Sequence, residues 1–335
     1  MAIRSIDDTN VQPIPITEFL QSSVVVVDTY MRLPSRKFIL IAKAGQSTSE
    51  TSLEKFKTRN LESLYVHIDD YQRFLTSTAM AASALADSPV KLKPDSRALL
   101  IQDAMAAVYR EVGEVGFNDQ SFARAKLVNH ALITYVKENS AINDLIFRFG
   151  PTGSDGVAHS MMVSMVTVML GMKHEWVKPA TLEKMSLGGF LHDIGKSKLP
   201  AEILAKQPSL MNRDERVIYE SHVEIGAQLL SQAKSMPDDV LLMVLEHHEL
   251  ADGSGYPKRL KDFQISPLAR VVSLANAFVD RIGEEPKPLP PEDAFRIFEE
   301  FKLERGAHFN RDAMKALEKS LDPNKLDKAK KARPA

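Results

Sequence analysis

The sequence predicts a mainly α-helical protein, a large all-helical domain preceded by a small α/β module. Three observations carry this. From residue 97 nearly to the end, apolar residues recur at helical spacing, as in Leu99, Ile101, Met105, Val108 and Val112. Before residue 75, short β-branched runs alternate with turn-forming residues. Between the two, residues 76–96 shift to Ala, Ser and Pro, the composition of a linker. A chain of 335 residues suggests two domains, and 44% apolar content is enough for a sizeable core.

Residues 1–75 read as a regulatory or dimerising module. Strands are expected at Ser23–Asp28, Phe38–Ile41 and Leu64–Ile68, with a short helix at Ser52–Arg59. No glycine loop for phosphate and no acidic receiver cluster occurs there, and His67 has no ligand partner nearby. Within the 76–96 linker, Ala79–Ala86 has the composition to extend a helix, and Asp95 or Ser96 can cap the next one. A helical connector follows over 97–150, with helices from Ser121 to Val136 and from Ala141 to Phe149. His130 has no acidic or His neighbour and is not expected to be a ligand.

The main domain is expected over 151–321. Ser154 can cap its first helix, which carries Asp155, His159 and the stripe Met161, Met162, Met165, Met169 and Met172, read as adaptable core. His174 lies beyond that helix and reads as surface. Pro179 starts a helix leading into Leu191-His192-Asp193-Ile194-Gly195-Lys196. Neighbouring helical residues point about 100° apart, so His192 and Asp193 reach one metal only where the helix ends, as Gly195 implies. Asp214–Leu230 carries His222, and Asp238–His248 ends in His-His-Glu. A glycine-rich loop, Asp252-Gly253-Ser254-Gly255-Tyr256-Pro257, comes next. Helices are expected at Ser266–Asp280, Pro291–Lys302 and Arg311–Leu321, with a proline-rich break at 284–291 and a basic, solvated tail over 322–335.

The composition narrows the chemistry. There is no cysteine, so disulfides, thiolate ligands and a Cys nucleophile are excluded. The net charge of −1 gives no bulk attraction to a nucleic-acid polymer or an anionic membrane. Apolar runs are too short to span a bilayer, and MAIRSIDDTN is no signal peptide, so a cytoplasmic protein is expected. His159, His192, His222, His247 and His248 with Asp193 form a set suited to Fe, Mn or Zn. Six ligands exceed the need of one metal with an open position, so two ions with Asp193 as bridge are expected. Two ions about 4 Å apart can share a hydroxide and support in-line attack on phosphorus. Lys196 is placed to meet a phosphate oxygen.

His159, HDIGK at 192–196, His222, HHE at 247–249 and DGSGYP at 252–257 together resemble the HD-GYP domain family over about residues 150–320. The resemblance implies an HD-superfamily fold and hydrolysis of cyclic di-GMP to pGpG or GMP at a two- or three-metal centre, often iron or manganese. It implies metal ligands at His159, His192, Asp193, His222, His247 and His248, a phosphate-contacting Lys196, and a third-metal role for Asp155. The loop residues Asp252, Gly253, Gly255, Tyr256 and Pro257 look like a substrate-proximal or partner-docking element.

This sequence departs from the family pattern after that loop. Asn276 stands where the family has an aspartate ligand, Val279 where it has a second, and Asp280 is expected to face elsewhere on the helix. The family's Arg-rich segment is replaced by Gly283-Glu284-Glu285-Pro286-Lys287, and its F-D-P by Phe309-Asn310-Arg311. Three readings therefore stay open: an active cyclic di-GMP phosphodiesterase, a degenerate module that binds nucleotide or docks a signalling protein, and an HD-type hydrolase of another nucleotide or phosphoester. A second copy of the chain is a further expected partner.

Overall fold

The structure is a computed structural model that describes residues 6–19, 24–48, 51, 61–86, 94–139, 156–285, 290 and 293–321. The helices expected at Ser52–Arg59 and Ala141–Phe149, together with Ser154, Asp155 and the basic tail, lie outside those residues.

Strands β1 (Val11–Pro15), β2 (Thr29–Arg32), β3 (Phe38–Ala42) and β4 (Ser63–His67) form an antiparallel sheet in the order β1-β4-β2-β3. A short helix α1 (Ile16–Phe19) follows β1. The sequence gives no sign of β1, because Pro13 and Pro15 argue against a strand. The prolines are tolerated because β1 is an edge strand, paired with β4 alone. The strand expected at Ser23–Asp28 is corrected. Val25 and Val27 are buried as a strand would require, but Val25 bonds to Gln46 and Gly45 in a turn, and the ladder starts at Thr29. His67 Nδ1 accepts the Asp69 N–H at 3.2 Å, a local structural bond.

Helix α2 (Ile68–Ala86) occupies the first half of the expected linker. Alanine is the strongest helix former, and Ala79 and Ala82 pack into the helical core. Helices α3 (Pro94–Val115) and α4 (Asp119–Glu138) are not a separate stalk. Their buried faces, including Met105, Val108, Val128 and Leu132, share one apolar core with the helices that follow.

Those helices are α5 (Gly156–Gly171), α6 (Pro179–Leu191), the short α7 (Ala201–Leu204), α8 (Arg213–Glu220), α9 (His222–Leu230), α10 (Asp238–Glu246), α11 (Pro267–Gly283), α12 (Asp293–Arg305) and α13 (Arg311–Leu321). Every residue of α5 from Ser160 to Gly171 is buried, so α5 is the central helix of the domain. Met161, Met162, Met165 and Met169 fill its surroundings, while Met172 lies past its end and is exposed. The single helix expected over Asp214–Leu230 is two helices meeting at Ser221, the first capped by a reciprocal Asn212–Glu215 capping box. Among the described residues no helix is long and apolar enough to cross a membrane.

Candidate metal centre

Five chain segments deliver the predicted residues to one place. His159 stands in the first turn of α5. His192 and Asp193 follow α6, and a 3-10 turn (Ile194–Lys198) follows them. His222 opens α9, His247 and His248 follow α10, and Asn276 lies in α11. Two glycines allow the approach. A Cβ at Gly195 would sit 2.0 Å from the His222 carbonyl oxygen, and one at Gly255 would sit 2.4 Å from the His248 carbonyl oxygen. Neither contact tolerates a side chain, so each glycine seats its segment against a histidine-bearing backbone.

The donor atoms fall into two groups that share Asp193: His222, His247 and His248 on one side, His159 and His192 on the other. Asp193 Oδ1 faces His222 Nε2 at 3.2 Å and His247 Nε2 at 3.7 Å. Its Oδ2 faces His192 Nε2 at 3.2 Å and His159 Nε2 at 3.9 Å. The carboxylate thus offers one oxygen to each group.

The hydrogen bonds of the rings show what these atoms lack. His192, His222 and His247 each give Nδ1 to a carbonyl three residues back, of Gly189, Tyr219 and Val244, at 2.7 to 2.8 Å. A carbonyl only accepts, so Nδ1 carries the ring proton and each neutral Nε2 presents a lone pair. Those lone pairs point at one another and at a carboxylate. His222 Nε2 and His247 Nε2 lie 3.4 Å apart. His192 Nε2, His248 Nε2 and Asp193 Oδ1 are buried without a hydrogen-bond partner. Acceptors facing acceptors in a buried site are satisfied by a cation, and the set fits divalent metal ions.

Electrostatics agree with that reading. Burial brings the His247 imidazole down to about 3 and holds His248 and His159 below the usual histidine range, so these rings are neutral ligands near neutral pH. Burial pushes the Asp193 carboxyl up, but positive charge beside it, that of Lys196 included, outweighs burial and holds Asp193 well below the ordinary value. Lys196 Nζ is 2.7 Å from Asp193 Oδ2 and 5.2 Å from the centre of the Tyr219 ring. The lysine expected to reach for phosphate is therefore bound to the carboxylate.

The glycine-rich loop closes one side. Tyr256 stacks on His248 with ring centroids 4.5 Å apart. Glu249 accepts the Lys258 and Leu260 N–H groups at 2.6 and 2.8 Å and pins the loop. Asp252 points away from the metal donors. It holds Ser254 in a turn with Gly253 at positive φ, and it meets His308 Nδ1 at 2.8 Å. Pro257 and Gly253 line a neighbouring cavity of ≈510 Å³ with Tyr256.

On the far side, Asn276 Oδ1 lies 2.9 Å from His159 Nε2. Asp280, expected to face elsewhere, is 3.6 Å from His159 Nδ1. Positions 276 and 280 are four residues apart and so share one helix face. A cavity of ≈260 Å³ beside the centre is lined by His247, His248, Asn276, Asp280, Arg216 and Arg305 among others. The two arginines were not read from the sequence. Neither lies near a histidine motif, and only folding of α8 and α12 brings them in. Tyr109 was missed for the same reason. Its hydroxyl donates to the Phe190 carbonyl at 2.7 Å and lies 2.9 Å from Ser160 Oγ, beside the His192 and His159 segments.

Comparison with known proteins places this geometry. The HD domain family model matches residues 141–309. A cyclic di-GMP phosphodiesterase of Thermotoga maritima is 38% identical over 115 residues, 32% of this chain and 30% of that protein. A second, of Pseudomonas aeruginosa, is 29% identical over 229 residues, 67% of this chain and 53% of that protein. A 3'3'-cGAMP-specific phosphodiesterase of Vibrio cholerae is 36% identical over 120 residues, 36% of this chain and 23% of that protein. The matches thus span about a quarter to a half of these relatives' length. A solved HDG"Y"P protein of Bdellovibrio bacteriovorus shares the fold, with a TM-score of 0.68 at 22% identity over 93% of this chain and 99% of that one. With the family model matched over half its length, and with His192-Asp193 and Gly255-Tyr256-Pro257 gathered at one centre, the chain belongs to the HD domain family, among its HD-GYP proteins.

Proposed function

We propose that the protein is a metal-dependent phosphodiesterase that hydrolyses a cyclic dinucleotide, cyclic di-GMP first, to pGpG or GMP. The observation that carries this is the Asp193 carboxylate set between two groups of imidazoles, with the Nε2 atoms of His192, His222 and His247 facing it. His222, His247 and His248 would hold one divalent ion and His159 and His192 another, with Asp193 within reach of both groups. Imidazole and carboxylate without thiolate suit iron or manganese. Divalent ions, when bound, supply Lewis-acid charge for in-line displacement at phosphorus.

The chain's own residues do the rest. Lys196 keeps Asp193 anionic. Arg216 and Arg305 offer guanidinium groups to phosphate oxygens on the cavity side, a role taken in the family by the arginines this sequence lacks. Tyr256 and the loop shield His248 from solvent. Asn276 would add its amide oxygen on the His159 side. Its Oδ1 lies 2.9 Å from His159 Nε2, so the two would serve the same ion. Asp155 is assigned to a third ion. The relatives named for 3'3'-cGAMP make that molecule the second substrate to test.

A second reading rests on one residue. Asn276 brings no charge where an aspartate is expected, which favours a weakly catalytic module that docks a signalling protein at Asp252–Pro257. Turnover separates the two. Protein purified without oxygen and loaded with ferrous iron or manganese is given cyclic di-GMP and 3'3'-cGAMP separately, and linear and mononucleotide products are resolved. Product that disappears in His192→Ala is expected. No product from either substrate, at full metal content, leaves the docking module.

A further inference from the structure

A second cavity lies at the other end of the central helix. Helix α5 carries His159 in its first turn and ends at Gly171, and Lys173, His174 and Trp176 follow. Sixteen residues at about 1.5 Å each separate the helix ends by roughly 24 Å. The cavity at this end, ≈500 Å³, is therefore distinct from the metal centre. It is lined by Lys173, His174 and Trp176, by Arg270 and its neighbours on α11, and by the α13 face that bears Asp312, Lys315 and Lys319.

Charge and ring chemistry select its ligand. The lining holds the cations Lys173, Arg270, Lys315 and Lys319 against one carboxylate, Asp312. Lys315 lies 3.7 Å from Asp312, and Arg270 is held by the Ile265 carbonyl at 3.0 Å and lies 3.6 Å from Asp262. Lys173 and Lys319 have no ion-pair partner among the described residues. Trp176, the one tryptophan of the chain, is 50% exposed, with its ring 5.5 Å from that of His174. His174 Nε2 is buried and has no hydrogen-bond partner. An open indole face beside unpaired ammonium groups matches a base joined to phosphate. The volume lies in the range of small-ligand pockets.

We propose that this cavity binds a nucleoside phosphate, with the base on Trp176 and the phosphate on Lys173 and Lys319. The assignment does not rest on the reaction proposed for the metal centre, and its test does not use that reaction. The sole tryptophan makes the test direct. Intrinsic fluorescence of the full-length protein is titrated with GMP, guanosine and inorganic phosphate. GMP gives a saturable change, weakened about tenfold or more in the exposed pair Lys173→Gln/Lys319→Gln. By titration calorimetry, Trp176→Ala also loses GMP affinity. The assignment is overturned by no saturable response to GMP, by an equal response in the lysine variant, or by GMP affinity unchanged in Trp176→Ala. Phosphate or guanosine alone matching GMP overturns it as well, since either result removes one half of the ligand.

Discussion

At the scale of single residues, the proposed metal centre turns on the neutral amide of Asn276. Its oxygen lies within hydrogen-bond distance of His159 Nε2, at 2.9 Å, so Asn276→Asp changes charge without changing reach. A carboxylate there is expected to raise affinity for Mn²⁺ about tenfold, read by calorimetry, and to raise turnover with it. Unchanged affinity would show that Asp280, one turn away and facing the same histidine, already supplies the charge. Asp252 makes a different prediction. Its bonds from the Ser254 hydroxyl and N–H hold its carboxyl at about 2, below the ordinary 3.8. A carboxyl lowered by folding stabilises fully above its unfolded value and loses that stabilisation as pH falls through the folded one. The loss therefore falls between about pH 4 and pH 2, where Asp252 also gives up His308. Melting temperatures of Asp252→Asn should decline less steeply over that window than those of the parent, and parallel curves would place the acid sensitivity elsewhere.

At the scale of elements, the centre depends on backbone contacts that only glycine permits. Gly195 lets the turn after α6 lie against the start of α9, so the Asp193 and His222 segments are fixed to each other. In Gly195→Ala the new methyl meets a carbonyl oxygen at 2.0 Å, and a backbone cannot yield as a side chain does. Overpacking of this kind costs about 1–3 kcal/mol or more, a Tm loss of roughly 3–10 °C. Metal content should fall with it because His222 moves; a variant that melts lower but retains all its metal would refute that coupling. The same contacts explain what was legible in the sequence. HDIGK, HHE and DGSGYP are contiguous runs: the first carries two donors and the glycine that seats them, the second two donors, and the third the glycine that seats the loop against His248, so ligands and loop could be read directly. Asp280, Arg216 and Arg305 reach the centre only through helix phase and tertiary packing, which leave no local motif. β1 was hidden for the opposite reason: its local signal, two prolines, contradicts a strand that only its edge position permits. The run Val24–Val27 gave a strand signal from its β-branched residues, while among the described residues its backbone makes only one isolated antiparallel bridge, Val24 to Ser47.

At the scale of the whole molecule, α3 joins the two cores through adjacent residues. Arg110 makes a two-pronged pair with Glu18 of the N-terminal module, at 2.6 and 2.8 Å. Tyr109, one residue earlier, packs partly buried against the metal domain. Its hydroxyl bonds the Phe190 carbonyl two residues before His192, and lies beside Ser160 next to His159. A displacement of α3 at Glu18 is therefore a displacement at the backbone that carries two metal donors. Tyr109→Phe leaves the Phe190 carbonyl and the Ser160 hydroxyl without their buried partner, a loss of about 1–3 kcal/mol. Its Mn²⁺ affinity should fall while its helical content is kept. Glu18→Gln supplies the longer-range test, because it leaves the Arg110 charge unpaired far from any metal donor, at a cost of about 3–5 kcal/mol. If the N-terminal module acts on the centre through α3, Glu18→Gln weakens Mn²⁺ binding, and pairing it with Tyr109→Phe gives less than the sum of the two effects, since both act through one helix. A lowered Tm with unchanged Mn²⁺ affinity would confine the Glu18–Arg110 pair to holding the module in place, and any signal from the N-terminal sheet would then have to enter the metal domain by another element.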